Sequence, residues 1–174
     1  MKTETKILPN QKIIAKVKYV VDGDTIVLNY QGEDFSSRAR WIDAPETKKS
    51  NQFSNDPQIL KHWQWGEQSK QFLINLVQGQ SLVVKTIELD QYERWICDWY
   101  LHKITIANNL QLKLCLAGMC ANSLPFQQYK FATNTELSLY VGILKNCVDA
   151  YKKRIGFWAE SDFILPYQFK KLML

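Results

Sequence analysis

An α+β domain, mainly β, with five strands and about three helices is predicted by three features of this 174-residue sequence. Runs of β-branched and apolar residues broken by turn residues crowd its N-terminal half. An Asp-Gly pair joins two of those runs, and helical apolar periodicity dominates the C-terminal half. The length suits one domain, large enough to bury roughly two thirds of the surface its unfolded chain exposes. We read residues 1–11 as an N-terminal tail, 12–165 as the domain and 166–174 as a C-terminal tail.

The first strand runs from Lys12 to near Val21, and the second restarts at Asp24 after the Asp22-Gly23 turn, where both turn positions tolerate positive φ. A second turn at Gln31-Gly32 leads into a third strand, Phe35 to Ile42, with Arg38 and Arg40 on one face and Ala39 and Trp41 on the other. Pro45, which lacks a ladder donor, stops it. Lys48 to Trp65 is polar, contains Asp56-Pro57, and reads as a long surface loop. A helix runs from Gly66 to Val77, with Gly79 at its C′ position. Ser81–Leu89 and Trp95–Leu101 are the fourth and fifth strands, and Leu112–Cys120 is a short helix after an Asn108-Asn109 turn. The last helix starts at Thr133, whose hydroxyl and Glu136 fit a capping box. It carries Leu137, Val141, Leu144, Val148 and Tyr151 on one face and ends before Gly156. Its terminal Lys152 to Arg154 run suits the helix dipole.

Lys plus Arg exceed Asp plus Glu by 22 to 17, a formal charge of +5, which favours an anionic partner over a cationic one. The 6 Trp, 8 Tyr and 8 Phe suit base stacking but equally suit a core. Cys97, Cys115, Cys120 and Cys147 lack Cys-x-x-Cys spacing and read as buried thiols rather than a disulfide framework or zinc site. Residues 1–11 contain no apolar segment of signal-peptide length, and no apolar run is long enough to span a bilayer. The expectation is a cytoplasmic monomer with no obligate protein partner and no membrane contact, secretion staying open if the chain is a processed form.

Five residues carry the chemistry. Asp24 follows the hairpin turn, and Asp43 and Glu46 flank Pro45, so the three acids can converge at one end of the sheet. Converging carboxylates repel unless a cation compensates, and an oxygen-only donor set points to Ca²⁺ or Mg²⁺ rather than zinc. Arg38 and Arg94 offer planar donor forks that match phosphate oxygens and can neutralise charge developing in phosphoryl transfer. Taken singly, each acid is better explained by a turn or a solvated surface, and the plainer reading of Arg38 is a salt bridge to Asp43 or Glu46.

The motif Val21-Asp22-Gly23-Asp24-Thr25-Ile26-Val27-Leu28, then Arg38, Trp41-Ile42-Asp43-Ala44-Pro45-Glu46-Thr47, Trp65-Gly66-Glu67 and Asp90-Gln91-Tyr92-Glu93-Arg94 resembles the staphylococcal nuclease (thermonuclease) family over Lys12 to Trp158. The resemblance implies a five-stranded OB-fold barrel with three helices and a calcium-dependent endonuclease acting on DNA and RNA to leave 3′-phosphate ends. It implies Ca²⁺ ligation by Asp24, Asp43 and the backbone carbonyl of Ala44. Glu46 would orient or deprotonate the attacking water, Arg38 and Arg94 would hold the scissile phosphate, and Tyr92 would contact a nucleotide phosphate. Lys48 and Lys49 can reach phosphates from their loop.

The sequence departs from the family at Glu93, where a glycine is usual, and at Leu124 and Phe126, where tyrosines often flank the nucleotide. Two other enzyme readings fit less of it. A restriction-type Glu-x-Lys site at Glu46 and Lys48 leaves both arginines unexplained, and a two-histidine ribonuclease needs His62 and His102 to meet, whereas both read as surface residues. The alternative from another class is a non-catalytic OB-fold module that binds nucleic acid or protein, whose domains lose these acids. An intracellular enzyme of this type would be held silent by low free Ca²⁺, since only two carboxylates bind the ion directly.

Overall fold

A computed structural model describes residues 7–123 and 133–173. Five strands form a closed barrel in the order β1 (Lys12–Asp22), β2 (Thr25–Tyr30), β3 (Glu33–Ala39), β6 (Trp95–Tyr100) and β5 (Ser81–Leu89), with β5 returning to pair with β1. The first three strands form the expected antiparallel meander, and β3 meets β6 in parallel. Together with four helices this is the α+β, OB-type barrel that the sequence led us to expect.

Strand β1 alternates buried and exposed residues until a bulge between Val17 and Tyr19, which leaves Lys18 and Tyr19 both outside and bends the strand around the barrel. Ile13, Ala15, Ile26, Leu28, Leu82, Val84 and Trp99 fill the interior. The Trp99 indole donates to Ser37 Oγ at 2.7 Å, so its one polar group is satisfied inside. Cys97, Cys115, Cys120 and Cys147 are all buried in the core.

Both turns of the meander form, for different reasons. Gln31 and Gly32 take φ of 52° and 94°, the left-handed pair a tight hairpin needs. Gly23 does not occupy that region. A Cβ there would lie 2.1 Å from Ser69 Oγ and 2.7 Å from Ala44 Cβ, so this glycine is required by close packing rather than by turn handedness.

Three boundaries differ from expectation. Strand β3 ends at Ala39 because Trp41 adopts φ 66°, which turns the chain out of the barrel. Ile42–Asp43 then forms a separate short strand, β4, paired with β7 (Ala121–Asn122). Arg40 precedes the bend at Trp41, its amide still donating to the Cys97 carbonyl, so Arg38 and Arg40 flank buried Ala39 as expected but reach different acids. Second, the latter half of the expected Lys48 to Trp65 loop is helix: Asp56 caps Gln58, Pro57 takes the first helical position, and α1 runs Pro57–Val77. The Asp-Pro pair, read as loop chemistry, is the start of a helix, whereas the Gly79 end is as expected, with φ 75°. Third, α2 spans Leu110–Leu116 rather than Leu112–Cys120, and a short α4, Pro166–Leu172, occupies the expected C-terminal tail.

Helix α3 (Asn134–Lys152) begins as expected, with Thr133 Oγ1 accepting the Glu136 amide at 3.2 Å. Its rotation is not as expected. Leu139, Ile143, Cys147 and Ala150 face the core, while Leu137, Val141, Leu144, Val148 and Tyr151 are exposed. The reason lies at its first turn. Glu136 is drawn inward by Arg40, at 3.0 Å, and by Lys85, at 3.4 Å, and Arg40 also holds Asp98. A buried charge that must meet its partner fixes the helical phase against the apolar stripe.

The phase is tested by two substitutions followed by urea unfolding. Ile143→Ala should cost about 2–5 kcal/mol, and Leu144→Gln should stay within about 0.5 kcal/mol of wild type. The reverse order would place the other stripe in the core.

Candidate active site

The hairpin turn, the end of β3 and strand β4 meet at one end of the barrel and carry the acids there. Asp24 is fully enclosed: its amide donates to Asp22 Oδ1 at 3.0 Å, its Oδ1 accepts from Thr25 Oγ1 at 2.9 Å, and its Oδ2 accepts the Ala44 amide at 2.8 Å. Arg38, opposite Thr25 in the β2–β3 register, sends one guanidinium nitrogen to Asp24 Oδ1 at 2.5 Å and the other to Asp43 Oδ1 at 2.9 Å. Both acids are nearly inaccessible, so one guanidinium joins two buried carboxylates. The bend at Trp41 makes this possible, because a straight β3 would carry Asp43 onward along the barrel wall.

Burial pushes the Asp24 carboxyl up, but Arg38, the Ala44 amide and Lys170 outweigh it and hold the group below its ordinary value of 3.8. Burial likewise disfavours the charged Arg38, and Asp24 and Asp43 more than offset it. Asp22, not anticipated as part of the site, is pushed up to about 7 by burial and then by the Asp24 charge beside it.

Two further participants were also not anticipated. Lys170 of α4 places Nζ 2.5 Å from Asp43 Oδ1 and 3.3 Å from Glu46 Oε1, and so links the two acids. Burial lowers its pKa and Asp43 raises it, with a net rise, so it is an ammonium. His62, expected at the surface, is completely buried on α1. Its Nε2 accepts the Glu46 amide at 3.0 Å and its Nδ1–H donates to the Ile164 carbonyl at 2.9 Å. Its ring stacks on Phe169 with centroids 3.7 Å apart. Gly66, one turn further along α1, faces the same loop, and a Cβ there would lie 2.2 Å from the Glu46 carbonyl oxygen.

A signal for His62 exists in the sequence. Once Asp56-Pro57 is read as a helix start, His62, Gly66, Ser69, Leu73 and Val77 recur on one face. Nothing comparable marks Lys170, which reaches the site only through the docking of α4.

The remaining predicted residues fall around this centre. Ala44 contributes its amide to Asp24. Glu46, Lys49, Gln52, Tyr92, Phe169 and Lys170 are among the residues lining a cavity of about 480 Å³. Lys48 instead lies over the Phe53 and Trp63 rings, at 5.3 and 5.5 Å. Arg94 stacks on Tyr92 at 5.2 Å and pairs with Asp90 through Nε at 2.9 Å and Nη2 at 2.8 Å, so its described partners are not the acids of the centre. Asp90, not Glu93, holds it. Glu93 takes φ 60°, the left-handed conformation that suits glycine. Leu124 and Phe126 lie outside the described residues.

Among the described residues no three His, Cys, Asp or Glu side chains group to hold a metal. The pair that converges, Asp24 and Asp43, offers only oxygen, and both nitrogens of His62 are committed elsewhere. Such a donor set fits a hard cation that keeps several waters, not zinc. No helix among the described residues is long and apolar enough to cross a membrane.

A family model described as Staphylococcal nuclease homologue matches residues 37–160 of the chain. No curated protein matches it.

Acid should loosen the Glu46 loop through His62. Burial, reinforced by Lys170, pushes the imidazole from its ordinary 6.5 down to about 4. The unfolded chain therefore takes up this proton first, and stability present above pH 6.5 is lost as pH falls towards 4. His62→Phe, which keeps the stack but cannot titrate, should flatten that part of the urea-measured pH profile. An equally steep variant would refute the assignment. Gly66→Ala should displace Glu46 and destabilise the fold by about 1–3 kcal/mol, read as a drop in the thermal midpoint.

Proposed function

We propose that this chain, which belongs to the staphylococcal nuclease homologue family, is a calcium-dependent endonuclease that hydrolyses phosphodiester bonds of DNA and RNA to leave 3′-phosphate ends. The observation that carries this reading is the convergence of Asp24 and Asp43 on the single Arg38 guanidinium, with Glu46 joined to them through Lys170.

In this reading Asp24 and Asp43, with the Ala44 carbonyl, would hold Ca²⁺. The bound ion would polarise the phosphodiester and offset the charge that builds on its oxygens. Glu46 Oε1 or Oε2 takes a proton from water as that water attacks phosphorus, the 5′ P–O bond breaks, and the departing oxygen is protonated from solvent. Glu46 suits the task because His62 and Gly66 fix its backbone while its side chain stays partly open to the cavity. Arg38 already lies against the two acids and needs only to turn a donor towards a phosphate oxygen. Arg94 takes the other side of the phosphate after exchanging Asp90 for it. Tyr92, on which Arg94 stacks, would then contact a nucleotide phosphate, with Lys49 facing the same cavity. The positive excess of the chain favours approach of a polyanion.

The pairing of Arg94 with Asp90 is the observation that favours a non-catalytic nucleic-acid or protein binding module instead, and one assay separates the two. With millimolar Ca²⁺ the wild type should cut plasmid, single-stranded DNA and RNA, and a chelator should stop it. Glu46→Gln and Arg94→Ala should each lower the rate about 10²–10³-fold with unchanged circular dichroism. Wild type that cleaves nothing, or Glu46→Gln that cleaves as well as wild type, leaves the binding-module reading.

A further inference from the structure

We propose that Lys170 is a tethered cation that occupies Asp43, one of the two carboxylates of the metal seat, and bridges it to Glu46 when no divalent ion is bound, and must swing away for one to bind. It thereby sets the metal concentration at which the site works. This inference rests on the reading of Asp24 and Asp43 as the metal seat, and adds a component that α4 brings to it.

The geometry is that of competition for one place. Lys170 Nζ lies 2.5 Å from Asp43 Oδ1, and Ca²⁺ sits about 2.3–2.6 Å from its oxygens, so ion and ammonium cannot share that approach. Two positive charges forced side by side there would also repel strongly, because Asp43 is almost wholly enclosed. Arg38 is the cation that stays. It enters from the barrel wall and its side chain is 17% exposed, against 40% for Lys170, which enters from the solvent side.

Release of the ammonium does not require release of the helix. Pro166 and Phe169 are buried, and the Phe169–His62 stack seats α4 without help from Lys170. The four-carbon stem is flexible, and the cavity of about 480 Å³ beside Glu46 gives the ammonium room to leave. A group tethered this way competes at an effective concentration in the millimolar range. Metal must exceed that competition before Asp43 and Glu46 are freed together, which couples metal binding to release of the acid that handles water.

Three proteins and two readouts test the proposal: wild type, Lys170→Met and Lys170→Arg, with Ca²⁺ affinity by isothermal titration calorimetry and acetylation of wild-type Lys170 by mass spectrometry. Lys170→Met should bind Ca²⁺ about tenfold more tightly than wild type, and Lys170→Arg, which keeps the charge, within about twofold. Saturating Ca²⁺ should raise the acetylation rate of Lys170 severalfold relative to exposed Lys12 on the same molecules. If wild type binds Ca²⁺ but Lys170→Met binds no more tightly, or Lys170 labelling does not change, the tethered-cation proposal is overturned and the metal seat stands. If neither wild type nor Lys170→Met binds Ca²⁺ at 20 mM or so, about the weakest range of natural calcium sites and beyond, the metal seat is overturned as well. Binding by Lys170→Met alone would be the strongest support. Thermal melts of the three apo proteins show that each is folded before titration.

Discussion

Two carboxylates buried at the end of an apolar barrel cannot both stay charged without a cation between them, and Arg38 meets that requirement. Several other features depend on it. The hairpin turn must deliver Asp24 inward, which its Asx contact to Asp22 and the Thr25 hydroxyl accomplish. Strand β3 must end one residue after Arg38 so that the chain can double back with Asp43, and Trp41 accepts a left-handed backbone to do so. The site is thus held together by ion pairs before any ligand arrives. Its acids are held in place by partners that a phosphate or a metal ion would engage in turn.

Arg40, two residues along, faces the opposite problem. It is buried with Asp98 and Glu136, lies over the Trp41 ring at 3.9 Å, and shares Asp98 with the Gln111 amide. No substrate reaches this cluster in the proposed mechanism. Its consequence is architectural, since it ties β3, β6 and the first turn of α3 together and selects which stripe of α3 enters the core. Two arginines separated by a single alanine therefore serve two separate acid clusters, one for charge at the site and one for helix orientation.

Glu46 is braced from behind by α1. His62 accepts its amide, Gly66 leaves room for its carbonyl, and Phe169 of α4 covers His62. The loop carrying the acid is consequently held by a helix with a long buried face, not by its own short-range contacts, which explains how an exposed segment can present a carboxylate in a fixed position. The same stack anchors α4 and brings Lys170 to the acids.

Local chemistry alone determined a good deal. Alternation and turn residues marked all five barrel strands, Gly32 and Gly79 occupy the left-handed positions their turns require, and Thr133 caps α3. The spacing of Asp24, Arg38 and Asp43 around a hairpin made their meeting foreseeable, because pairing of adjacent strands fixes which residues lie opposite. Where local signals were ambiguous, the sequence misled. Asp56-Pro57 serves a helix start as well as a loop, and α3 has apolar residues on two faces, so that a distant buried charge decided its rotation. His62, Lys170 and the bond from Arg94 to Asp90 depended on how α1, α4 and the turn before β6 pack and fold back. Periodicity and motif report what a residue's neighbours in the chain impose on it. The partner that reaches a carboxylate from 127 positions away is set only when the helices dock.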